Sequence, residues 1–382
     1  MLNEAASGAS GGDRGSLRKF DFAVIGAGMA GASFAARLAV RSSVLVLERE
    51  PLPGYHTTGR SAALFNELYG NAVIRALTRA SRAFYDTPPP GFTTGPLLTE
   101  RGVLHVGFRG SPTGPISAPP AHPVTLEEAV DRVPILRRDE LAWAALDPSA
   151  CDIDVSALHQ GFLHAAKAAG AKVVTDAELV ALQRADDWRI TTRGGDFRAA
   201  VLVNAAGAWA DAVARIAGLG PLGLRPLRRT VITLDAPAGA DVSRWPAIIP
   251  ADEAFYFKPA AGRLLATPAD ETPSEPCDAQ PEELDIAQCV DRLERATVLS
   301  VRRVLRSWAG LRTFAPDRTP VVGYDPNCDG FFWLAGQGGY GIQTAPALSE
   351  MAAALALREP VPAYIRAEGV DAAALSAARA QR

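Results

Sequence analysis

Cysteine is scarce in this chain. Its four residues, Cys151, Cys277, Cys289 and Cys328, stand far apart with no CxxC pair, which excludes a zinc ribbon or a redox dithiol and points to a reducing, cytoplasmic setting. The five histidines are scattered and show no metal-ligand spacing, so no metal site is expected. Long apolar runs are missing, and Met1 to Ser16 is a Gly/Ser/Ala stretch without the apolar core of a signal peptide. Neither stable membrane insertion nor secretion is expected, and residues 1–16 read as a disordered tail. A surplus of one charge sign is lacking too: 39 Lys and Arg against 42 Asp and Glu leave −3, so nothing draws the chain to nucleic acid. What remains is a globular composition, 48% hydrophobic and 21% charged over 382 residues without an internal repeat, enough for two or three domains.

Order begins at Phe20. Phe20-Asp21-Phe22-Ala23-Val24-Ile25 reads as a buried strand, Gly26-Ala27-Gly28-Met29-Ala30-Gly31 is GxGxxG, Met29 to Val40 continues as an apolar helix, and Val44-Leu45-Val46-Leu47 forms a second strand ending on Glu48. This βαβ grammar is that of a dinucleotide site. Gly26, Gly28 and Gly31 let the backbone turn tightly and approach a pyrophosphate, the helix N-terminus offers free N–H groups at its positive end, and Glu48, followed by Arg49, can reach ribose hydroxyls. A similar order returns near the C-terminus, where Phe331-Phe332-Trp333-Leu334-Ala335 runs into Gly336-Gln337-Gly338-Gly339-Tyr340-Gly341-Ile342-Gln343-Thr344 and then an apolar helix to about Leu357.

The residues after the second strand narrow the reading. Instead of another βα unit there is a Gly- and hydroxyl-rich loop, Tyr55-His56-Thr57-Thr58-Gly59-Arg60-Ser61-Ala62, followed by a helix-like stretch. With this loop, and with Val201-Leu202-Val203-Asn204-Ala205-Ala206-Gly207-Ala208-Trp209 further on, the chain resembles the FAD-dependent D-amino acid oxidase superfamily, most closely its bacterial D-arginine dehydrogenase branch. The likeness runs from Phe20 to the C-terminal region. It implies an α/β (α+β) fold in which a Rossmann-like FAD-binding domain (residues 17–65, 151–226 and 304–382) is interleaved with a β-sheet substrate domain (66–150 and 227–303). It implies that His56, Thr57, Thr58, Arg60, Ser61 and Ala62 line the flavin. Ala206, Gly207 and Trp209 would approach the adenosine half. The loop of Gly338, Gly339, Tyr340, Gly341, Ile342, Gln343 and Thr344 would face the flavin's pyrimidine edge. The position at which some relatives attach flavin covalently is Thr313 here, so FAD is expected to be held without a covalent link. In the substrate part, Ala72 to Tyr85 reads as a helix, Arg229 to Leu234 and Ala254 to Lys258 as strands, and the loop with Pro112, Pro115, Pro119, Pro120 and Pro123 as irregular.

Oxidising an amine at Cα requires the substrate carboxylate to be pinned so that hydride leaves from a fixed pose, and arginine's planar fork suits that task. By resemblance, Arg312 in Trp308-Ala309-Gly310-Leu311-Arg312 is the first carboxylate anchor and Arg229 the second, Tyr69 and Tyr256 contact the carboxylate, and the Gly339 carbonyl receives the amine. His159 and His164 read as packed or surface residues of a helix, and His105 and His122 as loop residues.

Departures from the branch bear on specificity. Where D-arginine enzymes place the glutamate that receives the guanidinium, this chain has Val103, and Leu64 and Asn66 replace a histidine and a threonine. An unpaired cation in such a pocket is costly. Glu67 and Glu100 are the nearest acids in sequence that could rescue it. The expected activity is FAD-dependent oxidative deamination of D-amino acids, neutral, apolar or aromatic ones before D-arginine and D-lysine. Products are 2-oxo acids and ammonia, with quinone or oxygen as acceptor and a monomer or homodimer as the working unit. Other amine oxidases of this fold acting on glycine, N-methyl amino acids, D-hydroxyproline or natural-product amines remain open, as do a 2-hydroxy acid dehydrogenase and a non-catalytic flavoprotein.

Overall fold

The computed structural model describes residues 18–110, 114 and 118–380. The expected tail at 1–16 and Pro112 and Pro115 lie outside the described residues. The first strand, Lys19–Ile25, pairs in parallel with Val44–Leu47 on one side and with Gly195–Asn204 on the other, and Cys328–Ala335 joins beyond the latter. Residues alternate between the two sheet faces: Phe22, Val24, Val44 and Val46 enter one core, Ala23, Ile25, Leu45 and Leu47 the other. Both faces are therefore covered, and the strands read as continuous apolar runs. The first core packs the helices Met29–Leu38, Val155–Ala168 and Ala345–Ala356, and the second holds Trp188 with Val213 and Ala214 of the helix Ala210–Ile216. Parallel pairing brings Ile25, Leu47, Asn204 and Trp333 to one edge. The ends of these strands open a crevice, where open α/β sheets bind ligands. Among the described residues, no helix is long and apolar enough to cross a membrane.

A second sheet of nine strands has the path Thr272–Pro273, Arg225–Leu234, Arg263–Thr267, Tyr256–Ala260, Ala247–Pro250, Val103–Phe108, Leu141–Asp147 and His122–Val124, with Arg306–Phe314 also paired to Arg225–Leu234. One face is sealed: Leu104, Val106, Ile232, Ile248, Phe257 and Ala266 pack with Cys289 and Leu293 of the helix Glu283–Ala296. The other face carries the polar residues of the site.

Several sequence expectations need correcting. The arginine-bearing strand Arg306–Phe314 falls within residues expected in the flavin part, yet it hydrogen-bonds along Arg225–Leu234 and belongs to the second sheet. Conversely, the helix Ala72–Asp86 buries Leu77, Ala80 and Tyr85 in the first core, because its apolar stripe needs the nucleotide-side helices as a partner. Pro123 is in a strand, at the sheet edge, where proline's missing N–H is tolerated. The stretch after the Gly-rich loop is the two-residue strand Leu64–Phe65, not a helix. His105 sits in mid-strand and is buried.

Candidate active site

The glycine loop is built as a cradle. Gly26 has φ +102, and a Cβ there would come within 2.6 Å of the Ala205 carbonyl oxygen; a Cβ on Gly31 would lie 1.9 Å from the Gly26 oxygen. Only hydrogen fits at these two points, which lets strand and helix approach closely. Glu48 shapes this loop as well as flanking it: Oε2 accepts the Ala27 N–H at 2.8 Å and Oε1 the Glu50 N–H at 3.0 Å. Thr58 Oγ1 accepts the Met29 N–H at 2.9 Å, and Thr57 Oγ1 donates to the Leu311 carbonyl at 2.7 Å, so the hydroxyl-rich loop is tied to both the first helix and the second sheet.

His159, read in sequence as a packed helix residue, has a further task. Its Nε2 lies 2.8 Å from the Ala27 carbonyl, 132 residues away. The carbonyl can only accept, so this nitrogen carries the proton. Burial pushes the imidazole below its usual range and keeps it neutral. No local pattern marks a histidine whose partner is so distant.

A continuous cavity runs from Gly26, Gly28, Glu48, Arg49 and His56, past Ala206, Gly207 and Trp209, to Thr57, Thr58, Arg60, Ser61 and Ala62, and reaches Gly338, Gly339, Gly341 and Ile342. The Arg49 guanidinium lies 4.8 Å above the Trp209 ring, and His56 packs on the same ring at 4.7 Å while meeting Glu50 at 2.9 Å. Arg60 donates to the Ala279 and Ala309 carbonyls at 2.9 and 3.0 Å and pairs with Asp278, closing one side with a segment of the second sheet's insertion. Thr344 does not line this cavity: fully buried, it caps the helix Ala345–Ala356 and donates its hydroxyl to Tyr340 at 2.9 Å. The crevice fits a dinucleotide. The Gly26, Ala27 and Met29 amides are taken by Leu47, Glu48 and Thr58, which leaves the Gly28 and Ala30 amides at the cavity wall for a pyrophosphate, and the buried Thr313 hydroxyl has no partner among the described residues.

Beyond this end a second cavity of about 980 Å³ opens, sharing Ser61, Ala62, Arg229, Tyr256, Arg312, Gly339 and Ile342 with the first. Sheet register explains the arginines. Leu227 pairs with Arg312 and Arg229 with Gly310, so the two arginines are diagonal neighbours on one face. Arg312 donates to the Tyr69 hydroxyl at 3.2 Å and packs against Gly339, where a Cβ would come 2.9 Å from Nη1. Burial works against its charge, but Tyr69 and Tyr256 hold its pKa above the usual arginine value. Arg229 donates to the Asp270 carbonyl at 2.8 Å. Burial, and then the charge of Arg312, push it down. Burial raises the Tyr256 phenol. Among the described residues no carboxylate pairs with Arg312, and Glu271, 3.5 Å from Arg229, is held at 2.5 Å by Arg318. The result is a buried cationic corner flanked by two phenols.

The side-chain pocket differs from the sequence reading. Val103 does not reach the cavity; it is fully buried against Ala150, Ala247, Leu64 and Ile249, and Leu64 and Ile249 form the wall in front of it. Asn66 borders the cavity, but its Oδ1 accepts the Leu68 N–H at 2.8 Å and so serves a turn. Gln343 likewise donates to Thr78 at 2.9 Å. Glu67 and Glu100 do not line the cavity, whereas Asp252, Glu253, Asp270, Glu271, Glu282 and Asp285 do; Asp270 is occupied by the Thr230 N–H and hydroxyl, Glu271 by Arg318, and Glu282 and Asp285 by Arg228. Tyr340 stacks edge-on with Tyr69 at 5.0 Å.

Known proteins support this frame. A glycine oxidase from Geobacillus kaustophilus is 24% identical over 364 residues, covering 89% of this chain and 94% of its own. A crystal structure of glycine oxidase from that organism superposes with a TM-score of 0.77 at 23% identity, covering 94% of this chain and 98% of the other. The L-proline dehydrogenase of P. horikoshii gives 0.73 at 20%, covering 92% and 99%. These likenesses support the fold without singling out the D-arginine dehydrogenase branch expected from sequence. The family model described as FAD dependent oxidoreductase (DAO) matches residues 21–355, so the chain belongs to that family of oxidoreductases, and FAD is its cofactor.

Proposed function

We propose that the protein oxidises the Cα–N bond of α-amino acids, preferring D-amino acids with neutral, apolar or aromatic side chains, to imino acids that water hydrolyses to 2-oxo acids and ammonia. The observation that carries this reading is the buried Arg312 guanidinium, which has no carboxylate partner among the described residues. A substrate carboxylate completes it, with Arg229, Tyr69 and Tyr256 around the same corner. Gly339 packs against Arg312, and its carbonyl would receive the amine, so that carboxylate and amine together fix the direction of the Cα–H bond. Bound FAD supplies the acceptor for the departing hydride, with a quinone or oxygen as the final acceptor. Leu64 and Ile249 make a wall that rewards apolar side chains and penalises an unpaired cation. The cavity of about 980 Å³ is far larger than glycine requires.

A second reading, glycine or an N-substituted glycine, is favoured by the glycine oxidase found among the relatives. One panel separates the two: anaerobic bleaching of the purified flavoprotein by glycine, sarcosine and both enantiomers of alanine, leucine, methionine, phenylalanine, arginine and lysine. Fastest bleaching by neutral D-amino acids is the expected result. Fastest bleaching by D-arginine, or bleaching by glycine and sarcosine only, refutes the preference, and no bleaching by any amine refutes the activity.

A further inference from the structure

Several buried polar side chains line the cavity outside the carboxylate corner; Asn66 and Gln343 are spent on protein partners and Arg228 and Asp285 pair with each other, whereas His105 is not so engaged. His105 lies on the strand Val103–Phe108, is 7% exposed and lines the cavity wall. Register places it in a row with Tyr256, one of the two phenols beside Arg312. Ile249 pairs with His105, and Ile248 with Phe257, so Tyr256, Ile249 and His105 occupy successive strands on one face. Two strand spacings separate Tyr256 from His105, about 10 Å. That is the reach of an amino acid from its carboxylate to the end of a phenolic or carboxamide side chain.

The imidazole is unsatisfied. Neither ring nitrogen has a hydrogen-bond partner among the described residues, and Nε2 is fully buried. The nearby Asp147, itself fully buried, spends Oδ1 on Ser149 and leaves Oδ2 without a partner. Asp147 pulls toward protonation, but burial outweighs it and pushes His105 below its usual range. Because Nε2 is sealed inside the wall, a ligand meets the neutral ring through Nδ1, which donates or accepts according to the tautomer and so suits a group that can do either, such as a hydroxyl or carboxamide. A charged ammonium or guanidinium would use only the lone pair. Buried polar groups in folded proteins are normally paired, so an unpartnered Nδ1 on the cavity wall marks where a ligand's polar end arrives.

We propose that His105 is a specificity-determining residue, which recognises a neutral hydrogen-bonding group at the far end of the substrate side chain while Arg312 holds the carboxylate. This assignment rests on the amino-acid reading above. The wall is thus apolar along its length, at Leu64 and Ile249, and polar at its end.

The test uses matched substrates that differ only at that end, on the flavin-loaded protein: tyrosine against phenylalanine and glutamine against norleucine, in the enantiomer that bleaches the flavin. In the unaltered protein kcat/KM favours the polar member of each pair. H105L lowers both ratios by about 10- to 100-fold, mainly through KM, and H105Q, which keeps a donor and an acceptor, restores part of the loss. A purely structural role would lower both members alike and leave the ratios unmoved. Unmoved ratios in H105L and H105Q overturn the assignment, as do ratios of one in the unaltered protein. If no amino acid bleaches the unaltered flavoprotein, the amino-acid reading falls and His105 with it. If bleaching occurs and only the ratios stay flat, His105 alone is refuted.

Discussion

Arg312→Met should make the protein more stable and less active. The guanidinium is buried, faces a second arginine and has one hydrogen bond among the described residues, 3.2 Å to Tyr69. Burying a charge without a counter-ion costs several kcal/mol, of which such a bond returns about 1–2. The Tyr256 phenol, pushed up by burial, carries no charge at neutral pH to offset this cost, and methionine has similar length and no charge, so replacement relieves about 1–3 kcal/mol in the ligand-free protein, a rise in Tm on the order of 1–4 °C. The same change removes a charge-assisted contact to the substrate carboxylate, about 3–5 kcal/mol, which lowers kcat/KM by roughly 10²- to 10⁴-fold. Thermal unfolding with and without benzoate, a carboxylate that cannot be oxidised, separates the two effects. At 100 times its Kd the anion stabilises the unaltered protein by about 2.7 kcal/mol, and it should leave R312M unmoved. A lower Tm for R312M, together with turnover within tenfold of the original, would refute the reasoning.

Gly31→Ala places a methyl 1.9 Å from the Gly26 oxygen, backbone against backbone, and should weaken FAD at least about 100-fold by equilibrium dialysis. His159→Leu removes the 2.8 Å bond to the Ala27 carbonyl and should cost about 1–2 kcal/mol of FAD affinity, roughly 5- to 30-fold. His159 also has a pH signature. Its folded pKa lies below the ordinary 6.5 because of burial, so the unfolded chain takes up the proton first. The stability linked to neutral His159 is complete above pH 6.5 and lost as pH falls below it, and H159Q should flatten the melting profile below pH 6.5. Leu64→Glu puts an acid on the apolar wall and should raise kcat/KM for D-lysine relative to D-leucine at least tenfold, measured by anaerobic flavin reduction.

The nucleotide half was legible in the sequence because its signals are local. Strand, glycines, helix and Glu48 fall within about thirty residues, and each residue type is dictated by its immediate neighbours. The second sheet was less legible because its pairings are long-range. Nothing near Arg306–Phe314 reveals that its partner is Arg225–Leu234, so the strand was expected in the wrong part. Val103 failed for a related reason: strand position says which face a residue occupies, but not that Leu64 and Ile249 stand between it and the cavity. His105 and His159 were invisible as functional residues, since one borders a cavity formed by several strands and the other meets a carbonyl 132 residues away.

The strand that carries Arg312 does not stop at the second sheet. Its last residues reach into the C-terminal glycine loop, where the Gly338 N–H donates to the Thr313 carbonyl at 2.8 Å and Phe314 bridges to Gln337. Carboxylate anchor and glycine loop are thereby one rigid piece that spans both sheets, so a shift of either displaces the other. The opposite wall, from Leu64 through Ile249 to His105, is linked to Arg312 through the intervening strands of the second sheet and not by a direct bond to its strand. Substitutions there can retune which side chain is accepted while the reacting Cα keeps its place, whereas changes near Gly338 cannot alter substrate choice without moving the anchor itself.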